Sequence, residues 1–287
     1  MSVKGKRLDV LLEEGGYFPS RQTARTAIMD GAILVNGVKV TKPGQHIKDG
    51  AKIEITSQAQ KPRYVSRGGF KLEKALQHFS VDVKDKVCLD VGASTGGFTD
   101  CLLQHGATFV FAVDVGYGQL AWSLRTDDRV KVFERWNART LAPEKLLADT
   151  QFALPTIAVI DVSFISLEKI LPAVIGCLNK STEAQVIALV KPQFEAGKAE
   201  VGKGGVVKEA STHKLVLLRV IEAATKIGLS CVGLSYSPIK GPEGNIEFLL
   251  DMRIPAQGDK AEYQCLSDDL VDSLVEEAHQ QLNRTSG

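Results

Sequence analysis

The chain has 287 residues, 44% hydrophobic and 24% charged, with a formal net charge of +1. That balance suits an ordinary globular protein with one large domain, or one large and one small. No apolar run approaches the roughly 18–20 residues of a membrane helix, and the start Met1-Ser-Val-Lys-Gly-Lys-Arg7 argues against a signal peptide.

Residues 1–58 read as a small α+β module. Arg7-Leu-Asp-Val-Leu-Leu12 has apolar residues at helical spacing, and Gly15-Gly-Tyr-Phe-Pro19 breaks that helix. Ser20 is placed to cap a second helix over 21–29, which Asp30-Gly31 ends. Residues 33–40 read as two short strands around Asn36-Gly37, a strong hairpin signal. A further strand over 52–55 follows the Pro43-Gly44 and Asp49-Gly50 turns. Arg21 and Arg25 are four apart on one helix face, where Arg7 can join them. Residues 1–75 hold 14 Lys+Arg and 7 Asp+Glu, a net of +7, so the remainder carries −6. A basic module on an acidic body is expected to meet a polyanion, although an uneven solvated surface looks the same in sequence.

Residues 59–65 form the expected linker, and the polar Ser57-Gln-Ala-Gln-Lys-Pro62 has no period. A helix over 70–78 precedes the first strand of a larger domain, 66–287. Strands are expected at 87–91, 108–114, 130–134, 156–160, 185–190, 230–236 and 246–252, with helical patterns at 97–105, 167–178 and 212–227. This rhythm predicts an α/β fold with a doubly wound seven-stranded sheet. The connection over 238–245 is too short for a helical crossover, so the last strand should run antiparallel. The tail over 266–282 should form a helix that caps the sheet. The five cysteines are scattered without a Cys-x-x-Cys, as in a cytoplasmic protein with no disulfide framework and no metal site.

The most informative stretch is Asp-Val-Gly-Ala-Ser-Thr-Gly-Gly-Phe-Thr-Asp at 90–100. A buried strand ends there in a glycine-rich turn that opens a helix. Gly92, Ser94, Gly96 and Gly97 then offer bare backbone and free N–H groups to a ligand. Asp114 ends the next strand, 22 residues after Gly92, where a carboxylate can accept both hydroxyls of a nucleoside ribose. The dinucleotide fingerprint is absent, because Ala93-Ser94 follows Gly92, and no P-loop lysine follows the turn. Asp90 would repel a pyrophosphate but suits a cationic, amino-bearing ligand. These features select S-adenosylmethionine. Asn137, after the third strand, is a candidate for the adenine edge or a plain turn residue.

Four charged residues should converge at the carboxyl edge of the sheet. Asp161 and Lys191 end the fourth and fifth strands, Glu247 begins the antiparallel last strand, and Lys71 begins the helix before strand one. Lys191 with Asp161 is either a structural ion pair or catalytic machinery. A neutral amine there can take the proton of a sugar hydroxyl, with Asp161, Lys71 and Glu247 as positioning groups. Amine methylation usually goes with Asn/Asp-Pro-Pro-Tyr/Phe after the fourth strand, and ring-carbon methylation with a Pro-Cys nucleophile. Neither occurs here. The glycine-rich loop over 197–207 can close over RNA or serve as a bare connection.

Two resemblances follow from these residues. Arg7-Leu-Asp, Ser20-Arg-Gln-x-Ala-Arg-x-x-Ile, Gly31 and Val35-Asn-Gly resemble the S4 RNA-binding domain. That resemblance implies Arg7, Arg21 and Arg25 on RNA phosphates. The Lys-Asp-Lys-Glu set with the glycine turn resembles the FtsJ/RrmJ class of ribose 2′-O-methyltransferases. The whole chain resembles the TlyA family, bacterial rRNA methyltransferases also labelled hemolysins. Its most specific stretches are Ser66-Arg-Gly-Gly-x-Lys71, the glycine turn, Asp161-Val-Ser-Phe-Ile-Ser166, Lys191-Pro-Gln-Phe-Glu195 and Lys203-Gly-Gly-Val-Val207. The family implies cytidine 2′-O-methylation of ribosomal RNA. Arg67 is a further candidate RNA contact, the expected partners are ribosomal RNA or ribosomal subunits, and the expected setting is the cytoplasm. Where the family linker carries Trp, this chain has Tyr64. Competing readings are an RNA-binding protein with an inactive transferase fold and a membrane-acting hemolysin.

Overall fold

A computed structural model of the chain describes residues 5–284, except 19, 30, 49, 57–62, 198–199, 203, 260–262 and 264. Asp30 and Asp49 of two expected turns, residues 57–62 around the expected linker, Lys198 and Lys203 therefore lie outside the described residues. The chain divides into two compact units, Met1–Ser66 and Arg67–Gly287.

The first unit runs β1 (Lys6–Arg7), α1 (Leu8–Glu14), α2 (Arg21–Met29), β2 (Ile33–Val35), β3 (Val38–Val40), β4 (His46–Ile47) and β5 (Ile53–Ile55). Leu8 and Leu12 of α1, Ala24 and Ile28 of α2 and Ile33 of β2 have no exposed surface and form its core. Those positions are the i, i+4 stripes that put one face of each helix inward. Ser20 Oγ accepts the Thr23 N–H at 3.2 Å and caps α2 as expected. Asn36 and Gly37 have φ of +51° and +77°, the primed turn that pairs β2 with β3. β5 pairs on the other side of β2, and β1 pairs with β4 in a separate two-stranded sheet. That second pairing has no sequence signal, because two residues per strand cannot show a period.

The second unit runs α3 (Gly68–His78), β6 (Val87–Val91), α4 (Gly97–Gln104), β7 (Phe109–Val113), α5 (Trp122–Arg125), β8 (Val130–Phe133), α6 (Pro143–Leu147), β9 (Ile157–Ile160), α7 (Leu171–Gly176), β10 (Ala184–Val190), α8 (Pro192–Glu195), α9 (Ala210–Lys226), β11 (Ser230–Tyr236), β12 (Phe248–Ile254) and α10 (Asp268–Arg284). Its sheet has the order β11-β12-β10-β9-β6-β7-β8. β12 runs antiparallel to both neighbours, as the short connection requires. β7, β9 and β10 are buried along their whole length, which is why they read as apolar runs, broken in β10 only by Gln185. Val271, Val275, Ala278 and Leu282 put one stripe of α10 into the core, so the tail does cap the sheet.

Besides small changes in limits, such as α3 and α9 each starting two residues before the expected position, two differences bear on the site. The pattern over 167–178 splits into a 3-10 turn, Leu167–Lys169, and α7, because Pro172 restarts the helix and cannot donate inside one. The last strand begins at Phe248 instead of 246, so Glu247 stands just before it.

Candidate active site at the carboxyl edge of the sheet

β6 lies between β7 and β9, and the chain leaves it first to one side and then to the other. This is the switch point where open α/β sheets bind ligands. The glycine turn sits there. Gly92, Ser94 and Gly96 all have positive φ, at +90°, +49° and +98°. The Gly92 and Ala93 N–H groups donate to the Val113 carbonyl at 2.8 and 3.1 Å, tying the turn to the end of β7. A Cβ on Gly92 would lie 2.6 Å from the Asp161 carbonyl oxygen. What demands glycine here is therefore the backbone after β9. Gly97 opens α4.

Asp114 ties the turn to the segment after β7. Its Oδ2 accepts the Ser94 N–H at 2.7 Å and its Oδ1 accepts the Gly116 N–H at 2.6 Å. Asp90 is fully buried, and its Oδ2 accepts the Thr99 hydroxyl at 2.6 Å. Its Oδ1 has no hydrogen-bond partner among the described residues. Burial, reinforced by the charges of Asp161 and Asp114, pushes its pKa up to about 7 against the Thr99 hydrogen bond.

The four charged residues form two pairs. Lys71 Nζ lies 2.5 Å from Glu247 Oε2, and both side chains are buried. Lys71 is the fourth residue of α3, which starts two residues earlier than expected. Lys191 Nζ lies 2.7 Å from Asp161 Oδ1 and donates to the Ser163 hydroxyl at 2.9 Å. Val190 faces Phe248 in the sheet register, which brings Lys191 and Glu247 to the same end of neighbouring strands. Burial raises the Glu247 pKa, Lys71 opposes that rise, and the nearby Asp161 charge adds to it. Glu247 Oε1 has no hydrogen-bond partner among the described residues, and a Cβ on Gly241 would stand 2.6 Å from it.

Several residues, some of them inside the quoted stretches, gain a role only in the fold. Ser163 holds Lys191. Glu195 Oε1 accepts the Leu167 N–H at 2.8 Å and so anchors the segment that follows Asp161. Phe164 is 89% exposed with φ +65°, and its ring stands 4.9 Å from that of Phe194. The buried Asn245 accepts the Val207 N–H and donates to the Gly205 carbonyl, holding the end of the 197–207 loop beside Glu247.

The remaining candidates stand elsewhere. Asn137 is exposed, and its Oδ1 caps the 3-10 turn Ala138–Thr140 through the Arg139 N–H at 3.0 Å, the plain turn role. Arg67 is exposed just before α3. In the first unit, Arg7 and Arg21 meet through Asp9, while Arg25 is exposed and outside that group. Among the described residues, no group of three or more His, Cys, Asp or Glu could hold a metal ion. No helix among them is long and apolar enough to cross a membrane.

Comparison with known proteins agrees with this architecture. Residues 64–254 match the FtsJ-like methyltransferase family and residues 6–53 match the S4 domain. A Bacillus subtilis (strain 168) protein provisionally named rRNA methyltransferase YqxC is 49% identical over 98% of this chain and 97% of its own. The 16S/23S rRNA (cytidine-2′-O)-methyltransferase TlyA of Mycobacterium tuberculosis is 44% identical over 89% of this chain and 91% of its own. A solved structure from Streptococcus thermophilus, provisionally named a hemolysin, superposes with a TM-score of 0.75 at 44% identity, covering 99% of both chains. The chain belongs to the TlyA family of FtsJ-like methyltransferases, which carry an N-terminal S4 domain.

Proposed function

We propose that the protein methylates a ribose 2′-hydroxyl, that of a cytidine in ribosomal RNA, using S-adenosylmethionine and Lys191 as general base. The observation that carries this reading is the pairing of two lysines with two carboxylates, from four separate segments, beside the glycine turn. The names of the M. tuberculosis and B. subtilis relatives support the substrate class.

The site fits the cofactor. Asp90 offers a buried, uncommitted carboxylate oxygen to a cationic group, and no lysine or arginine salt bridge is seen at Asp90 or Asp114 among the described residues. Asp114 holds the ribose hydroxyls, and the backbone of Gly92, Ser94, Gly96 and Gly97 lines the nucleoside. When bound, the cofactor supplies an electrophilic methyl group on a sulfonium. In its neutral form, Lys191 accepts the 2′-hydroxyl proton at Nζ, which makes the oxygen a competent nucleophile. Asp161 and Ser163 aim that amine. Lys71 and Glu247 fix each other and hold the hydroxyl in line. Residues 1–58 act as the RNA-binding module through Arg7, Arg21 and Arg25, with Arg67 contributing from the transferase domain, 66–287. The setting is the cytoplasm.

The test is transfer of labelled methyl from S-adenosylmethionine to bare rRNA and to intact subunits, with alkaline hydrolysis to locate the resistant 2′-O-methylated link. Lys191→Ala should cut the single-turnover rate by about 10²–10⁴. Lys191→Arg should fail as well, because a guanidinium stays charged. An active arginine variant beside an alanine variant that melts early would make Lys191 a structural ion-pair partner.

A further inference from the structure

In the first unit, a carboxylate with no exposed surface lies beneath two arginines. Arg7 grips Asp9 in a bidentate fork, Nε to Oδ1 and Nη2 to Oδ2, both at 3.0 Å. Arg21 Nε donates to Oδ2 at 2.9 Å, and the Val10 N–H donates to Oδ1 at 3.1 Å. The hydrogen bonds from Arg7, helped by Arg21, hold the Asp9 carboxyl well below the usual range despite its burial. The segment is fixed from behind as well. Leu8 N–H donates to Gln45 O, Asp9 N–H donates to Pro43 O, and the Arg7 guanidinium lies against Gly44, where a Cβ would come within 3.4 Å of Nη2.

Yet the two arginine side chains remain 43% and 47% exposed. Asp9 occupies one edge of Arg7 and only the Nε of Arg21. Among the described residues, no hydrogen bond is seen from Arg7 Nη1 or from either Nη of Arg21. A buried acid next to an RNA surface costs attraction for phosphate. Its compensation is that two rotamer-rich side chains are held in one geometry before RNA arrives.

We propose that Asp9 is a positioning residue that presents Arg7 and Arg21 as one rigid phosphate-binding fork, with Arg25 outside it. This rests on the RNA-binding reading above.

The test is a filter-binding titration of the full-length protein with purified ribosomal RNA over a range of salt. Asp9→Asn raises the net charge from +1 by one unit. Bulk electrostatics then predicts tighter binding. Positioning predicts the opposite, an affinity loss of about tenfold with a shallower salt slope, because a phosphate contact is lost. Arg7→Lys and Arg21→Lys keep charge but lose the fork. Each should weaken binding in the native background and add little in the Asp9→Asn background. A melting curve and cofactor affinity check folding. Equal or tighter binding by Asp9→Asn overturns the proposal, as do lysine variants with full affinity, which decide the matter even if Asp9→Asn fails to fold. If the unaltered protein does not bind rRNA, it is the RNA-binding reading that fails.

Discussion

Asp90 has one oxygen committed to Thr99 and the other uncommitted, with its pKa raised to about 7. In the ligand-free protein it binds a proton more tightly than in the unfolded chain. Its contribution to stability is therefore fully present at low pH and is lost as pH rises toward about 7. A cationic ligand binds the ionised form. Cofactor affinity should thus climb with pH, approaching tenfold per unit below about 7, and then level off. Calorimetry across this range should show the climb, with proton release, in the native protein and its loss in Asp90→Asn. A native protein whose affinity keeps a flat pH profile would remove Asp90 from the cofactor site. The principal charges of the candidate site were legible in sequence because a lysine or carboxylate at the end of an apolar strand is conspicuous. The roles of Ser163, Phe164 and Asp9 were not. Their meaning depends on which way a turn points a side chain, and no spacing encodes that.

At the scale of elements, strands and helices were legible wherever a period runs long enough to be seen. β11 and α2 match their expected limits, because turn and cap residues bound them on both sides. The two-residue β1 and β4 carry no pattern, and the helical period over 167–178 hides the restart that Pro172 imposes. The glycine turn shows the limit of a motif reading. Gly92 suits a ligand in sequence, but in the fold it admits the backbone that follows β9. Gly92→Ala meets both a positive φ and an atom 2.6 Å away that belongs to main chain and cannot rotate aside. Together these should cost about 2–4 kcal/mol in a denaturant melt. The strain should also push β6 from β9 and displace Asp161, so cofactor binding and methyl transfer should fall together. A variant with native stability would mean that the β6 and β9 ends are not locked as described.

At the scale of the molecule, charge separates as the two compact units do, a basic front on an acidic body. The S4 match covers 6–53 and the methyltransferase match covers 64–254, so the two family matches occupy separate stretches of chain. The second unit holds the sheet, the glycine turn and both lysine–carboxylate pairs, with its own core. A chain of residues 67–287 should therefore fold and keep its S-adenosylmethionine affinity. It should lose rRNA affinity, because the phosphate contacts assigned to the first unit are gone. Each lost contact also removes part of the salt dependence, so the deficit at physiological salt should be about 10²-fold or more in kcat/KM and should narrow as salt is lowered. Adding residues 1–66 as a separate chain should restore little, because the tether supplies an effective concentration that free mixing does not. Methylation assays at two salt concentrations, run beside calorimetry for the cofactor, check all three statements. A truncated chain with full activity at physiological salt would place RNA recognition in the transferase unit, and the basic front would then need another partner.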